Sequence, residues 1–418
     1  MRPALVLFCA LVRCGFASQA PQPLSLDEAV AQALNANPAV ASARQHVTEM
    51  QAHVSEMEGA KRLQLSFEGT VSESNGRVAD PPSIQSFGTA EATLNAPIPN
   101  AGRAGAQVDQ ARQQLLAAMA QLKRAVLDVE FRTSQAFVEL WRAREGQDIA
   151  QQNFDQAKRQ AADTQKRIDA GDVPAADLLK AQVQVAQNQA ALARAKNAVS
   201  VALENLNDLL QRDLDSPLDL APATSLPNVE VSAESAVAAA LKESPDAVEA
   251  QANLEAAKAN TRFVRHSRDL DYSLGLTHAR TSDITAYSYL TTLGLTISFP
   301  VTDGGVASQQ IKQALLQEKE AETALKRARR SVRLAVEQAL LDLEGDEANA
   351  TATAATEEIA RQSLQKAQQS YDAGLTTTRD VLDAQLVYSQ SRVDANSARY
   401  DLAIARAKLK QLVGGQLP

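Results

Sequence analysis

The sequence IDAGDVPAADLLKAQ at residues 168–182 has a counterpart, YDAGLTTTRDVLDAQ, at residues 371–385. The two stretches lie 203 residues apart (371 − 168) and share Asp-Ala-Gly, then an Asp, a Leu and a closing Ala-Gln at identical spacing. A glycine after a helical pattern is typical of a helix end, so Gly171 and Gly374 each predict a turn between two helices. Repetition of a whole helix–turn–helix pattern predicts that the chain is an internal duplication.

The same separation continues on both sides of these turns. Pairs that lie 203 residues apart include Pro97 with Pro300, Gly102 with Gly305, and Leu206 with Leu409. Near the start of each half the separation becomes 207, as in Val30 with Val237 and Pro38 with Pro245. We therefore predict two structural repeats, residues 21–212 and 233–418, joined by a proline-containing connecting segment at residues 213–232.

Each repeat is predicted to open with a helix, at residues 26–60 in the first half and 233–266 in the second. Ser25 and Glu28 have the spacing of a capping box, in which each side chain bonds the backbone of the other. Pro38 and Pro245 lie inside these helical patterns, where proline removes a hydrogen bond and clashes with the preceding turn. Both opening helices are therefore predicted to break there.

Two stretches of alternating apolar and polar residues follow each opening helix. They cover residues 63–71 and 90–98 in the first half, and residues 270–276 and 287–299 in the second. Alternation with period two predicts strands that have one apolar face. The polar stretches between them, residues 72–86 and 280–286, are predicted to be connectors.

A long helix and a shorter returning helix complete each predicted repeat. The long helices cover residues 104–168 and 306–371, and about 65 residues span roughly 98 Å. The returning helices cover residues 175–212 and 377–413, with apolar residues every seven positions, as in supercoiled helices. In the first of them these are Leu178, Val185, Leu192, Val199 and Leu206. We predict one long helix beside two short helices stacked end to end.

Composition and charge limit the class of protein. Only 4% of the residues are aromatic, and the formal net charge is −8. Few large aromatic residues favour closely packed helices over a conventional globular core. A phosphate-binding surface needs clustered Lys and Arg, so no nucleic-acid partner is expected.

The first 20 residues have the pattern of a signal peptide. Arg2 precedes a short apolar run at residues 4–12, and small residues follow it. Simple cleavage is favoured over a lipid anchor at Cys14, because Arg13 stands where a lipoprotein signal has a small residue. Cys9 and Cys14 are the two cysteines of the sequence, so the mature chain is expected to have no disulfide, thiolate metal site or catalytic thiol.

The four predicted strands are too few to enclose a usable lumen, and open sheet edges are not tolerated in lipid. The strands are therefore expected to close with those of other copies of the chain. A homotrimer would supply about twelve strands, enough for an aqueous barrel in outer-membrane lipid. The helices of the same copies would continue this barrel as a tube.

The order and duplication of these elements resemble the TolC-like outer-membrane efflux protein family. The resemblance covers residues 24–414 and includes PVTDGG at 300–305, which begins a long helix, and AGLT at 373–376, which ends it. It implies a mainly α fold with a β membrane part. Long antiparallel helices would form a trimeric coiled-coil α-barrel, continued by a transmembrane β-barrel with four strands per protomer.

The resemblance also implies a function and a location. The family forms outer-membrane channels that extend into the periplasm of Gram-negative-type cells. They pass substrates from an inner-membrane transporter and a periplasmic adaptor to the outside, in tripartite efflux or type I secretion systems. No cofactor is implied.

The helical tips are the adaptor-docking sites that the resemblance implies. These positions are Gly171, Asp172, Val173, Gly374, Leu375 and Thr376. Asp172-Val173 replaces the Leu-Thr that follows the glycine in the second half. The resemblance therefore leaves open whether both tips bind the adaptor alike.

A pair of acids lies just beyond the second tip. Asp380 and Asp383 are three residues apart and share one helix face. Taken alone, they are typical of acids that the helix dipole favours at an N-terminus. The resemblance instead implies that Asp380, Asp383 and Asp177 line a constricted periplasmic entrance, which Tyr371 helps to narrow. Thr376 stands where the family often has a basic residue, which implies altered closing contacts.

Catalysis and metal binding receive little support from the residues. His46 and His53 share a helix face, but their spacing places no third ligand, so solvated helix residues are favoured. Gly102-Arg103-Ala104-Gly105 does not follow the phosphate-loop pattern and is expected at a strand-to-helix corner. We therefore expect no enzyme, no metal site and no cofactor.

Two other classes of protein share some of these features. A periplasmic adaptor also contains a coiled-coil hairpin, but it has one hairpin instead of two in tandem. A soluble coiled-coil scaffold would lack the alternating strands, and detergent-dependent extraction would distinguish it.

Overall fold

A computed structural model describes residues 23–76, 83–97, 102–170, 174–221, 232–282, 287–299 and 301–415. The helices are α1 (Leu26–Ala36), α2 (Pro38–Gly59), α3 (Arg103–Asp169), α4 (Ala175–Leu209), α5 (Ala233–Glu243), α6 (Pro245–Arg265), α7 (Val306–Asp372) and α8 (Thr378–Val413). The strands are β1 (Gln64–Gly76), β2 (Ser83–Pro97), β3 (Asp271–Ser282) and β4 (Tyr287–Ser298). None of the helices described combines the length and the apolar character needed to cross a membrane. The predicted signal peptide, residues 1–20, lies outside the described residues.

The opening helix of each half breaks at the predicted proline. The capping box of Ser25 and Glu28 starts α1, with both reciprocal hydrogen bonds present. Asn37 ends α1 and caps α2, in which Pro38 takes the first helical position. In the second half the same break falls at Ser244, directly before α6. The N–H of a first helical position has no partner within the helix, so proline, which lacks an N–H, is well tolerated there. The same proline therefore ends the first helix and starts the second.

The two long helices are the axes of the fold. α3 and α7 each contain 67 residues, which corresponds to about 100 Å at 1.5 Å per residue. α2 and α4 pack along α3, while α6 and α8 pack along α7. The predicted arrangement of one long helix beside two short ones is therefore confirmed in both halves.

The halves are joined because α6 and α8 also pack against α3. Ion pairs cross this junction, including Arg124 with Glu249 at 2.6 Å and Arg142 with Asp401 at 2.5 Å. The helices consequently form a ribbon, with α2 and α4 along one edge and α7 along the other. Among the described residues the two edges show no extensive packing against each other.

Each half has an apolar core beside the middle of its long helix. The first core includes Ala29, Ala33, Val129, Leu140 and Leu206. The second includes Ala236, Ala240, Val332, Leu343 and Leu409. These positions correspond one to one at the sequence separations of 207 and 203. Part of the connecting segment joins the first core, through the buried side chains of Leu218 and Leu220.

The four strands form one antiparallel sheet in the order β1-β2-β3-β4. Directly paired residues share a face, and one face is largely apolar, with Leu65 opposite Leu94, Leu94 opposite Leu276, and Leu276 opposite Leu293. The neighbouring row on the other face contains Ser66, Thr93, Thr277 and Thr292. The predicted alternation is confirmed, although β1 and β2 reach further into the polar connector than predicted because their pairing continues to Gly76 and Ser83.

Candidate functional site at the helical tips

The second helical tip is built around a left-handed glycine. α7 ends at Asp372, and Gly374 has a φ of 72°. Its backbone N–H donates to the carbonyl of Tyr371 at 3.0 Å, and the N–H of Leu375 donates to Ser370 at 2.9 Å. This pair of bonds is the Schellman motif, which satisfies carbonyls that the helix end leaves open. Glycine suits this position because it has no Cβ, and a Cβ makes a positive φ unfavourable in other residues.

Asp380 holds the start of α8 in a capping box with Thr377. The Asp380 carboxylate accepts hydrogen bonds from the Thr377 backbone N–H at 2.9 Å and from its hydroxyl at 2.8 Å. In return the Thr377 hydroxyl accepts from the Asp380 N–H at 3.4 Å. The hydrogen bonds from the Thr377 backbone and side chain lower the pKa of Asp380 below its ordinary value. The structure thus gives Asp380 the helix-capping role that the residues alone favour.

Asp383 lies one turn further along α8 and remains open to solvent. Its side chain is 70% exposed, and the nearest cation is Arg379, whose Nε lies 3.7 Å from Oδ2. An exposed pair four residues apart is weak and screened by salt. Asp383 is therefore available to form electrostatic contacts outside its own helix.

Asp177 occupies the corresponding place near the start of α4, but its surroundings differ. Pro174 is the N-cap residue and makes no side-chain cap hydrogen bond. The Asp177 carboxylate instead contacts Lys180 at 3.0 Å. Lys180 stands where the second half has Asp383, so the first half presents an ion pair where the second presents two acids.

Tyr371 contacts the other half of the chain. The guanidinium of Arg167, near the end of α3, lies over the Tyr371 ring with Cζ 4.3 Å from its centroid. This contact connects the end of α3 with the end of α7. Thr376, just beyond the tip glycine, has a buried hydroxyl oxygen that makes no hydrogen bond to any described residue.

The structure places part of the predicted site and leaves part untested. Tyr371 and the two acids of α8 lie on either side of the turn at Gly374. Leu375 projects from this turn with 78% of its surface exposed. The first tip, Gly171, Asp172 and Val173, lies outside the described residues. Docking and entrance roles remain predictions at all of these positions.

Thr377 and Arg167 contribute to the candidate site but are not among the residues predicted from the sequence. Thr377 and Asp380 have the Thr-x-x-Asp spacing of a capping box, so that local signal was present. Arg167 carries no comparable signal, because its contact with Tyr371 joins residues about 200 positions apart in the chain.

The histidines do not form a metal site within the described residues. His46 and His53 each contact a glutamate one turn along α2, Glu49 and Glu56, with Nδ1–Oε2 distances of 3.2 Å. No group of three or more metal-binding side chains is present in the described part of the chain.

A ribbon of long antiparallel helices that continues into a four-stranded sheet with one apolar face is the protomer architecture that the resemblance to TolC-like proteins implies. The sequence profile of the family described as outer membrane efflux protein matches residues 29–211 and 236–415. The chain belongs to this family. The predicted family and the location in the outer membrane, extending into the periplasm, are confirmed.

Individual relatives agree with this assignment. The outer membrane protein TolC of Escherichia coli (strain K12) is 29% identical over 122 residues, which cover 29% of this chain and only 25% of TolC. The CmeC outer membrane channel of Campylobacter jejuni has a TM-score of 0.83 at 18% identity, over 93% of this chain and 85% of CmeC. VceC of Vibrio cholerae has a TM-score of 0.82 at 18% identity, over 94% and 97% of the two chains. The structural matches establish the fold, and CmeC is described as an outer membrane channel.

Proposed function

We propose that this chain is one protomer of a homotrimeric exit duct. The duct receives substrates from an inner-membrane transporter through a periplasmic adaptor and releases them outside the cell, in a tripartite efflux or type I secretion system. It acts by enclosing a path and carries out no chemistry. The main support for the proposal is the open helical ribbon. One of its edges is formed by α2 and α4 and the other by α7, and both edges are exposed.

Unlike edges favour assembly into a ring. When the two edges differ, one edge of a copy binds the other edge of the next copy in a head-to-tail contact. Such contacts produce a closed ring when the rotation between successive copies returns to the first copy. Leu341 on α7 is 68% exposed and Val201 on α4 is 55% exposed. Their equivalents in the other half, Val138 and Ile404, line one cavity between α3 and α8. Leu341 of one copy is therefore proposed to pack against Val201 of the next.

The sheet supports a membrane-spanning role for the strands. Leu65, Phe67 and Val71 on β1 expose between 75% and 89% of their surface in the single chain. Such a row of exposed apolar side chains needs an apolar environment. We propose that three copies close about twelve strands into a barrel with this face toward outer-membrane lipid and the threonine-rich face toward the lumen.

The far end of each protomer is proposed to bind the adaptor. The described tip exposes Leu375 beside a glycine that leaves the backbone accessible. The equivalent first tip, Gly171 to Val173, is proposed as a second docking site with a different side-chain pattern. The two sites would then contact the adaptor in different ways.

The acids near the second tip are proposed to line the periplasmic entrance. In a trimer Asp380 and Asp383 would form two adjacent rings of three carboxylates, with Asp177 nearby and Tyr371 narrowing the opening. Capping by Thr377 favours the ionised form of Asp380. Converging negative charges would attract cations, so this entrance would prefer cations over anions.

Membrane fractionation and mass measurement test the proposal. We expect the processed protein in the outer-membrane fraction and, after extraction in mild detergent, a particle with the mass of three protomers. A soluble monomer recovered from the periplasm would rule out the duct and would favour a coiled-coil scaffold. Crosslinking in cells would then identify the attached inner-membrane complex.

A further inference from the structure

The α2 edge and the α7 edge of the ribbon carry opposite charges at matching spacing. Glu49 and Glu56 lie seven residues apart on α2, and their side chains are each 70% exposed. Lys312 and Lys319 lie seven residues apart on α7, and both are exposed. Seven residues are close to two helical turns, so each pair occupies one face of its helix.

A contact inside the chain shows how such edges meet. α3 and α6 pack in antiparallel fashion across the two halves, with Asp109 contacting Arg262 at 3.0 Å and Gln121 contacting Glu249 at 2.8 Å. The residue numbers of the facing partners add to about 370 in both cases. This relation defines the register of the α3–α6 seam, which runs through the centre of the ribbon.

The predicted internal repeat allows the register of the α3–α6 seam to be applied to a contact between α7 of one copy and α2 of the next. α7 corresponds to α3 at a separation of 203, and α2 corresponds to α6 at a separation of 207. Facing residues of α7 and α2 should therefore have numbers that add to about 366 or 367. Lys312 then lies within one or two residues of Glu56, and Lys319 within one or two residues of Glu49.

The faces agree as well as the register. Glu49 and Glu56 correspond to Ala256 and Phe263 of α6. Ala256 is buried, and the Phe263 ring lies under the guanidinium of Arg103 on α3 at 5.0 Å. Glu56 is thus placed on the face of α2 that would meet a neighbouring α7, and Glu49 lies two turns away on the same face.

Neither charge pair is neutralised by a carboxylate or ammonium partner of its own. Each glutamate contacts the adjacent His46 or His53 through Oε2. Among the described residues no carboxylate lies within ion-pair distance of the Lys312 or Lys319 ammonium group, and Lys319 acts on Glu322 through its charge at longer range. Both edges accordingly retain the charge needed for pairing with another molecule.

We propose that Glu56 and Glu49 on the α2 edge of one copy pair with Lys312 and Lys319 on the α7 edge of a second copy. This inference rests on the proposed homotrimer. It adds the register in which α2 of one copy packs against α7 of the next. Exposed ion pairs contribute little affinity, but opposite charges at fixed spacing select one register and one partner edge over others. A shift by one heptad would leave one charge on each edge unpaired.

Disulfide crosslinking of the full-length chain in outer membranes tests this register. The Glu56→Cys, Lys312→Cys variant should form reducible dimers and trimers under mild oxidation, with the linked peptides identified by mass spectrometry. The Glu56→Cys, Lys326→Cys variant is the matched control, because 14 residues displace the second thiol by about 21 Å. It should remain largely uncrosslinked.

Charge reversal provides a second measurement. Lys312→Glu with Lys319→Glu should lower the temperature at which the trimer dissociates in mild detergent. Adding Glu49→Lys and Glu56→Lys should restore it, because every seam regains opposite charges. Equal crosslinking of the test and control thiol pairs would contradict the proposed α2–α7 pairing, and so would a fourfold variant that does not recover stability. If the trimer remains intact in these experiments, the proposed duct is not contradicted. Absence of a trimer from the parent protein would instead overturn the proposed function itself.

Discussion

The imidazole ring of His266 lies against the Cα of Gly102, in the space that a Cβ at position 102 would occupy. His266 follows α6 and Gly102 precedes α3, so this contact joins the two halves where the helices meet the sheet. The ring is oriented by Asp269, whose Oδ2 lies 2.6 Å from the imidazole Nδ1. The first strand-to-helix corner is thereby fixed against the second half.

Replacing Gly102 with alanine should destabilise the protein through steric overlap. The φ of Gly102 is −107°, which any residue can adopt, so backbone strain contributes nothing. The overlapping atoms are the far end of a side chain that is 37% exposed and can rotate away from Asp269, so the cost should lie at or below the lower end of the range of about 1–3 kcal/mol that overpacking costs. The midpoint of heat-induced helix loss, followed by circular dichroism in detergent, should fall.

Gly105→Ala is the matched control for this substitution. Gly105 lies in the first turns of α3, and a Cβ there would meet no atom within 4 Å. Alanine is the better helix former, so this variant should be as stable as the parent or slightly more stable. Adding His266→Ala to Gly102→Ala should recover part of the loss. An equal decrease for both glycine variants would show that His266 does not determine the effect.

Thr133→Val should stabilise the first core. Thr133 is fully buried, and its hydroxyl oxygen forms no hydrogen bond with the described residues. The second half has Val336, also fully buried, at the corresponding position. Removing an unsatisfied hydroxyl at nearly constant shape should raise the free energy of unfolding by about 1 kcal/mol. The reverse change, Val336→Thr, should lower it, and the same thermal measurement compares the two.

Asp380→Asn should loosen the first turn of α8 at neutral pH. Because its pKa is lowered in the folded chain, the ionised carboxylate stabilises the fold above the ordinary aspartate value, about 3.9. That stabilisation is lost as the pH falls through the lower folded value. Hydrogen exchange of the α8 amides should therefore be faster in the variant than in the parent at pH 7, with the difference shrinking in acid. Asp177→Asn should have a smaller effect, since Pro174 provides no capping box.

The contact of Arg167 with Tyr371 is expected to help hold the proposed entrance closed. A cation–π contact of about 0.5–1 kcal/mol would change the ratio of closed to open states about twofold to fivefold. Arg167→Gln and Tyr371→Ala should both increase the open fraction in single-channel records. Tyr371→Phe keeps a ring beneath the guanidinium and should change this fraction less. Unchanged records for Arg167→Gln would rule out a closing role.

The sequence was most informative where structure depends on neighbouring residues. The capping box at Ser25 and the breaks at Pro38 and Pro245 follow from local backbone chemistry, and the structure contains all three. The returning helices and alternating strands were also predicted, because apolar residues recur with the period of each element. Alternation does not predict where β1 and β2 end, since polar residues continue their pairing as far as Gly76 and Ser83.

The long-range contacts that join the two halves could not be obtained in the same way. Arg167 and His266 act on residues far away in the chain, and no local pattern specifies which side chains two packed helices bring together. Asp380 is an intermediate case. Its helix-terminal position follows from the sequence, and the Thr-x-x-Asp spacing is the signal for its capping partner Thr377.

The most direct test of the account is ion conduction by the purified protein in a planar lipid bilayer. A trimeric duct with Asp380 and Asp383 at its entrance should give discrete, cation-selective conductance steps that polyvalent cations block. The Asp380→Asn, Asp383→Asn variant should keep the steps and show weaker selectivity and weaker block, because the carboxylate charge is removed at nearly constant size. Selectivity and block equal to those of the parent would place these acids away from the entrance. Purified trimer that inserts into the bilayer and conducts no ions would contradict the duct.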